Sequence, residues 1–229
     1  MPETVTTAMV EYKANGGIAQ GYLAWPNKRG PVPAIVLIQE WWGLDDHIKD
    51  VSRRFAAEGY AVLAPDLYHG QVTTEPTEAM KLTQSMDRDR ARKELTGAAA
   101  FLKNQPFSTG KVGVIGYCLG GGLSIDTACF NRDLNACVVY YGGNPTPLDL
   151  VRNISCPVLG VYAELDQRVT AGVPALREAL TSAGKRFDIH IYPGVQHAFF
   201  NDRNAGVYNA AAARDAWGKT LAFFSANLG

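Results

Sequence analysis

Apolar and polar positions along the chain fall into short apolar runs separated by stretches with helical spacing. Thr4–Tyr12 alternates loosely, Asn15-Gly16-Gly17 is a hairpin-turn signal, and Ile18–Trp25 reads as the return strand, ended by Pro26. Ala34–Ile38 is an unbroken apolar run, the pattern of a strand buried on both faces. Ile48, Val51 and Phe55 then fall at helical spacing behind Asp45 or Asp46 as cap, with Gly59 as the stop. Tyr60–Ala64 predicts a further strand, stopped by Pro65, and Asp66–Gly70 a turn. A polar loop, Gln71–Pro76, leads into a long helical stretch with a break near Met86–Asp89. Its second half presents Ala91, Leu95, Ala98, Ala99 and Leu102 on one face.

The C-terminal half repeats this alternation. Val112–Ile115, Ala136–Tyr140, Pro157–Ala163 and Phe187–Tyr192 read as strands. Leu123, Ile125 and Ala128 mark the helix after the first of them. Thr170–Gly184 predicts a helix with Pro174 in its first turn, and Val207, Ala210, Ala211, Trp217, Leu221 and Phe224 an amphipathic closing helix. Strands alternating with helices imply an α/β fold. The expectation is a mostly parallel central sheet with helices on both faces and an antiparallel N-terminal hairpin at its edge. No repeat or linker interrupts the pattern, so a single domain over residues 1–229 is expected. In such a sheet, active groups sit in loops at the carboxyl ends of the strands.

Composition narrows the partners. Lys plus Arg and Asp plus Glu both number 22, so the formal net charge is zero and a nucleic-acid partner is not expected. Met1-Pro2-Glu3-Thr4 lacks the pattern of a signal peptide, and no apolar run is long enough to span a bilayer. Four scattered cysteines without C-x-x-C spacing fit a reducing cytoplasm and give no reason to expect a metal.

Candidate chemistry gathers at Gly116-Tyr117-Cys118-Leu119-Gly120, between a predicted strand and a predicted helix. Gly-x-nucleophile-x-Gly in that context is the nucleophile elbow, here with Cys in place of the commoner Ser. The turn strains the nucleophile's backbone and brings residues two before and two after it so close that both must be small. A helix N-terminus favours the thiolate. The base and its orienting acid are expected after later strands, in the order nucleophile, acid, base. Of four histidines, His47 and His69 precede the elbow and His190 lies inside a strand, which leaves His197. Glu164 and Asp166 both qualify as the acid after Pro157–Ala163; Asp166 is preferred, with capping of the following helix as its rival role. The backbone N–H of Leu119 is one oxyanion donor, and the loop after Ile38, Gln39-Glu40-Trp41-Trp42-Gly43, is expected to hold the other.

Gln39-Glu40 with Trp42-Gly43-Leu44, Pro65-Asp66-Leu67-Tyr68, Gly116–Gly121, Asp166 and Gly194 with His197 and Phe199 together resemble the dienelactone hydrolases, or carboxymethylenebutenolidases, of the α/β-hydrolase superfamily. The resemblance spans almost the whole chain. It implies the α/β-hydrolase fold, no cofactor, a small lactone or ester substrate and a Cys118-His197-Asp166 triad working through an acyl-enzyme. It also implies that Glu40 contacts the resting Cys118 and helps form the thiolate, and that Trp41 donates the second oxyanion N–H. A monomer or homodimer is expected. Archetypal members bind a substrate carboxylate with arginines, one of them four residues past the His. That position is Asn201 here, with Arg203 two residues on, while Arg88, Arg90 and Arg92 lie in the segment where the other arginine falls. Trp41, Trp42, Tyr68 and Phe199 suggest an apolar slot for a small, flat substrate, which the resemblance implies is anionic. The alternatives are a general esterase or thioesterase, or a non-enzymatic thiol redox sensor on the same scaffold.

Overall fold

A computed structural model describes residues 4–14, 16–28 and 30–229. Met1, Pro2, Glu3, Asn15 of the hairpin signal and Arg29 of the following loop lie outside the described residues. The chain forms two compact units, Met1–Gly113 and Val114–Gly229.

In the first unit, β1 (Val5–Ala14) and β2 (Gly17–Pro26) pair antiparallel over their full length, with Gly16 in the left-handed region at φ 82°. β3 (Val32–Ile38) and β4 (Ala61–Pro65) pair in parallel, and β2 lies antiparallel to β4. Helix α1 (Asp46–Ala57) begins where its apolar stripe predicts, and Asp45 is the cap, its carboxylate accepting the Ile48 N–H at 2.9 Å. Ile48, Val51 and Phe55 are fully buried, and Ser52 settles its buried hydroxyl on the Ile48 carbonyl at 2.8 Å. The predicted break separates α2 (Pro76–Ser85) from α3 (Arg88–Lys103); Asp87 restarts the helix by accepting the N–H groups of Asp89 and Arg90. α3 presses on β1 closely enough that a Cβ at Gly97 would lie 2.7 Å from the Lys13 carbonyl oxygen.

β5 (Ser108–Tyr117) is longer than its apolar run predicts, because its first four residues are only partly covered or exposed. The second unit continues with α4 (Leu119–Phe130), β6 (Ala136–Tyr140), β7 (Val158–Ala163) and β8 (Phe187–Tyr192), the last three in parallel register. The strand order is β1-β2-β4-β3-β5-β6-β7-β8, an eight-stranded mixed α/β sheet with the antiparallel hairpin at one edge, as the sequence predicts.

Three further details differ from the sequence reading. A 3₁₀ turn over Leu148–Asn153 was not signalled. The helix expected over Thr170–Gly184 is shorter, α6 (Val173–Ser182), with Pro174 in its first turn, and a single-turn helix that the sequence did not signal, α5 (Gln167–Thr170), precedes it. The closing helix, α7 (Ala210–Leu228), buries Ala212, Ala213, Ala216, Thr220, Phe224 and Leu228. Its buried stripe is therefore rotated from the predicted one: Ala210 and Ala211 are exposed and Val207 precedes the helix. Thr220 can face inward because its hydroxyl bonds Tyr140 at 2.7 Å and the Ala216 carbonyl at 2.8 Å.

Candidate active site

The second unit carries four of the predicted site residues, Cys118, Leu119, Asp166 and His197, beyond the carboxyl ends of its strands. Cys118 follows β5 and caps α4 with φ 56° and ψ −114°, a conformation that L-residues rarely adopt. Neighbouring backbone holds it there. The Cys118 N–H donates to the Tyr140 carbonyl at 3.1 Å, and the Cys118 carbonyl accepts Gly121 N–H at 3.0 Å and Gly122 N–H at 3.3 Å. A Cβ at Gly116 would sit 1.9 Å from the Gly120 carbonyl oxygen, which gives the predicted need for a small residue at Gly116 a steric basis. Leu119 opens α4, where the first N–H groups lack partners within the helix.

The four cysteines have different surroundings. Cys118 is partly accessible at a helix N-terminus, whereas Cys129, Cys137 and Cys156 are buried. Burial pushes the Cys156 thiol up to about 11 and the Cys137 thiol well above its ordinary value. A thiolate, the reactive form, is thereby disfavoured at both.

Asp166 lies in the loop after β7 and His197 in the loop after β8. His197 Nδ1 is hydrogen-bonded to Asp166 Oδ2. Asp166 occupies the cap position of α5, yet its carboxylate makes no capping bond. Its backbone is tied down instead: Asp166 N–H donates to Ala163 O at 3.1 Å, and Thr170 donates its N–H to Asp166 O and its hydroxyl to Ala163 O. The other imidazole nitrogen, Nε2, is buried with no hydrogen-bond partner among the described residues. The Tyr141 ring lies 5.0 Å from the imidazole at 59°, and Ala198 beside it has φ 62°.

Glu164, the second candidate acid, is exposed and accepts Gly194 N–H at 2.8 Å, so it braces the start of the His loop. Asn201 accepts Arg203 N–H at 3.0 Å and donates its own N–H to Ala198 O, closing the turn after His197. Phe199 is fully buried between the Tyr141 and Tyr192 rings and serves as packing rather than as the slot wall expected of it. His190 hydrogen-bonds Asp188 at 2.8 Å on β8.

The first unit holds the other predicted residues. Glu40 follows β3 and is 2% exposed. Trp41 and Trp42 meet edge to face with centroids 4.8 Å apart, both half-buried. Gln39 accepts Leu67 N–H at 3.3 Å, which ties this loop to the Pro65–Tyr68 segment. Arg90 donates to the Leu67 carbonyl at 3.1 Å and pairs with Glu94 at 3.2 Å and with His69. Arg92 pairs with Asp89 at 2.8 Å. Arg90 therefore braces a loop rather than standing as a solvated helix charge. No group of three or more His, Cys, Asp or Glu among the described residues is arranged to hold a metal. No helix among the described residues is long and apolar enough to cross a membrane.

The family model described as the dienelactone hydrolase family matches residues 19–228. The chain belongs to the dienelactone hydrolase family. A relative from Saccharolobus solfataricus named "Putative carboxymethylenebutenolidase" is 33% identical, covering 93% of this chain and 95% of its own. Protein usf of Aquifex pyrophilus is 37% identical over 96% of this chain and 98% of its own. Among solved structures, a dienelactone hydrolase-like promiscuous phosphotriesterase from metagenomic libraries superposes with a TM-score of 0.88 at 26% identity, covering 98% of this chain and 99% of that one. The chain has the α/β-hydrolase fold and is a carboxylic ester hydrolase, acting on esters or lactones.

Two residues that shape the site carried no obvious sequence signal. Tyr141 and Ala198 both have positive φ, and only Gly142-Gly143 beside the first hinted at an unusual backbone. The elbow makes one direct prediction. Gly116→Ala drives a methyl group into the Gly120 carbonyl, so the loss of stability should reach the upper end of the usual overpacking range, about 3 kcal/mol. Turnover should fall with it. Urea denaturation and an esterase assay on the folded fraction check both; wild-type values for Gly116→Ala would contradict the steric account of the elbow.

Proposed function

We propose that the chain hydrolyses a small lactone or ester through Cys118 as nucleophile, His197 as proton shuttle and Asp166 as the group that orients the base. The observation that carries this reading is the state of His197. One ring nitrogen is bonded to the buried Asp166 carboxylate, and the other is buried with no partner among the described residues. An imidazole oriented this way has its basic lone pair on Nε2. In the proposed sequence, His197 Nε2 accepts the Cys118 thiol proton and the sulfur attacks the carbonyl carbon. The Leu119 N–H, and the Trp41 N–H that the resemblance assigns, stabilise the oxyanion. The tetrahedral adduct collapses to a thioester as the leaving alkoxide takes the proton from His197. In a lactone that alkoxide stays on the same molecule, so the ring opens. Water then attacks the thioester with His197 as base, releasing the carboxylate and restoring the thiol.

Replacing any member should remove most of the acceleration. Cys118→Ala, His197→Ala and Asp166→Asn are each expected to lower kcat for p-nitrophenyl acetate by on the order of 10³-fold or more, with little loss of folding. Because the three act as a unit, the double variant Cys118→Ala with His197→Ala should be no worse than about its weaker single. Near-normal kcat in folded His197→Ala would show that the base is another group.

Glu40 has a separate role in this proposal. A buried carboxylate acting on the Cys118 thiol raises the thiol's pKa by charge repulsion, against the helix N-terminus, so the resting enzyme holds a neutral thiol. Glu40→Gln should then lower the apparent pKa for iodoacetamide labelling of Cys118 while reducing turnover. An unchanged labelling profile in folded Glu40→Gln would end this part of the proposal.

A further inference from the structure

Three strands of the sheet lead to the three proposed catalytic groups: β5 to Cys118, β7 to Asp166 and β8 to His197. β6, between β5 and β7 in strand order, supplies none of them. The residues at its carboxyl end nevertheless touch all three carriers. The Tyr140 carbonyl accepts the Cys118 N–H at 3.1 Å. Tyr141 donates its own N–H to the Val161 carbonyl of β7 at 2.7 Å, two residues before that strand ends and the Asp166 loop begins. Gly142 lies so close to the first turn of α4 that a Cβ there would be 2.2 Å from Gly121 C and Gly122 N. The Tyr141 ring packs against the His197 imidazole at 5.0 Å, against Phe199 of the same loop at 5.7 Å, and against Tyr117, the residue before the nucleophile, at 6.3 Å.

Tyr141 holds this place at a cost. Its φ is 37°, positive for a bulky L-residue, while it is 1% exposed. Such backbone strain persists only where the surroundings over-determine it. Here the N–H bond to β7 on one side and the approach of Gly142 to α4 on the other fix the backbone and therefore the ring. We propose that Tyr141 is a positioning residue for the base. The hydrogen bond to Asp166 fixes the imidazole at Nδ1 but leaves it able to swing about that contact. The aromatic face restricts the swing and so aims Nε2. This inference rests on the hydrolytic reading above and adds to it a residue that acts by positioning His197.

The test compares Tyr141→Ala, Tyr141→Leu and Tyr141→Phe in the full chain, with Cys118→Ala assayed alongside. The readouts are kcat and KM for p-nitrophenyl acetate and the proton NMR signal of the His197 Nδ1–H. In Tyr141→Ala, kcat should fall by about 10²-fold with KM little changed, as for a misplaced catalytic group, and the Nδ1–H signal should broaden or vanish. Tyr141→Phe, which keeps the flat face, should recover most of both. If Tyr141→Ala does not fold, Tyr141→Leu keeps most of the volume without the flat face and should show the same losses. Wild-type kcat in the folded Ala or Leu variant, a change confined to KM, or a kcat loss with an intact Nδ1–H signal overturns the proposal. Activity surviving in Cys118→Ala would instead overturn the hydrolytic reading. The NMR signal does not depend on turnover, so the two failures are told apart.

Discussion

Everything in the second unit is arranged around one strained residue. A φ of 56° and ψ of −114° at Cys118 costs on the order of 1–3 kcal/mol, and the fold offsets it locally. Three backbone hydrogen bonds converge on Cys118, and Gly116 and Gly120 approach to a distance that no side chain permits. In return, the turn leaves Cys118 partly accessible at the start of α4, while the other three cysteines are buried. The helix terminus supplies partial positive charge at the same point. Geometry and electrostatics at the proposed nucleophile therefore have a single origin.

The proposed acid and base are fixed by different means. Asp166 sits where a helix cap would normally spend its carboxylate on backbone N–H groups, yet its backbone is tied to Ala163 and Thr170 and the side chain is left for His197. The His loop is pinned at both ends, by Glu164 on Gly194 and by the Asn201 turn. Aromatic rings continue behind it: Phe200 stacks on Tyr117 at 5.2 Å and on Trp217 at 6.0 Å. Rigid packing of this kind gives a catalytic group one orientation, a larger benefit to the reaction than the modest stability of each ring pair.

Much of this was legible in the sequence, and the limits have physical reasons. β6 and β8 match their predicted bounds because β-branched and aromatic runs there are cut off by turn residues. The elbow was legible because the glycine at position 116 is sterically obligatory. The stripe of α7 was misread because exposed alanines resemble buried ones in an apolar count, while the buried Thr220 looks polar until its two hydrogen bonds are known. α5 is a single turn, too short for periodicity to register. Glu164 and Asp166 stand two residues apart on one loop, and only the hydrogen bonds separate a brace from a partner of His197. The aromatic contact at Tyr141 depends on a positive φ that tyrosine does not advertise.

The central claim is that Cys118 carries the acyl group. Rapid-quench mixing with p-nitrophenyl acetate, followed by intact-mass and peptide analysis, tests it most directly. The account predicts a transient adduct with the mass of one acetyl group, located on Cys118, that forms with the first burst of p-nitrophenol and disappears with turnover. Steady hydrolysis with Cys118 unmodified at every time point, or the acetyl group on another residue, would contradict it.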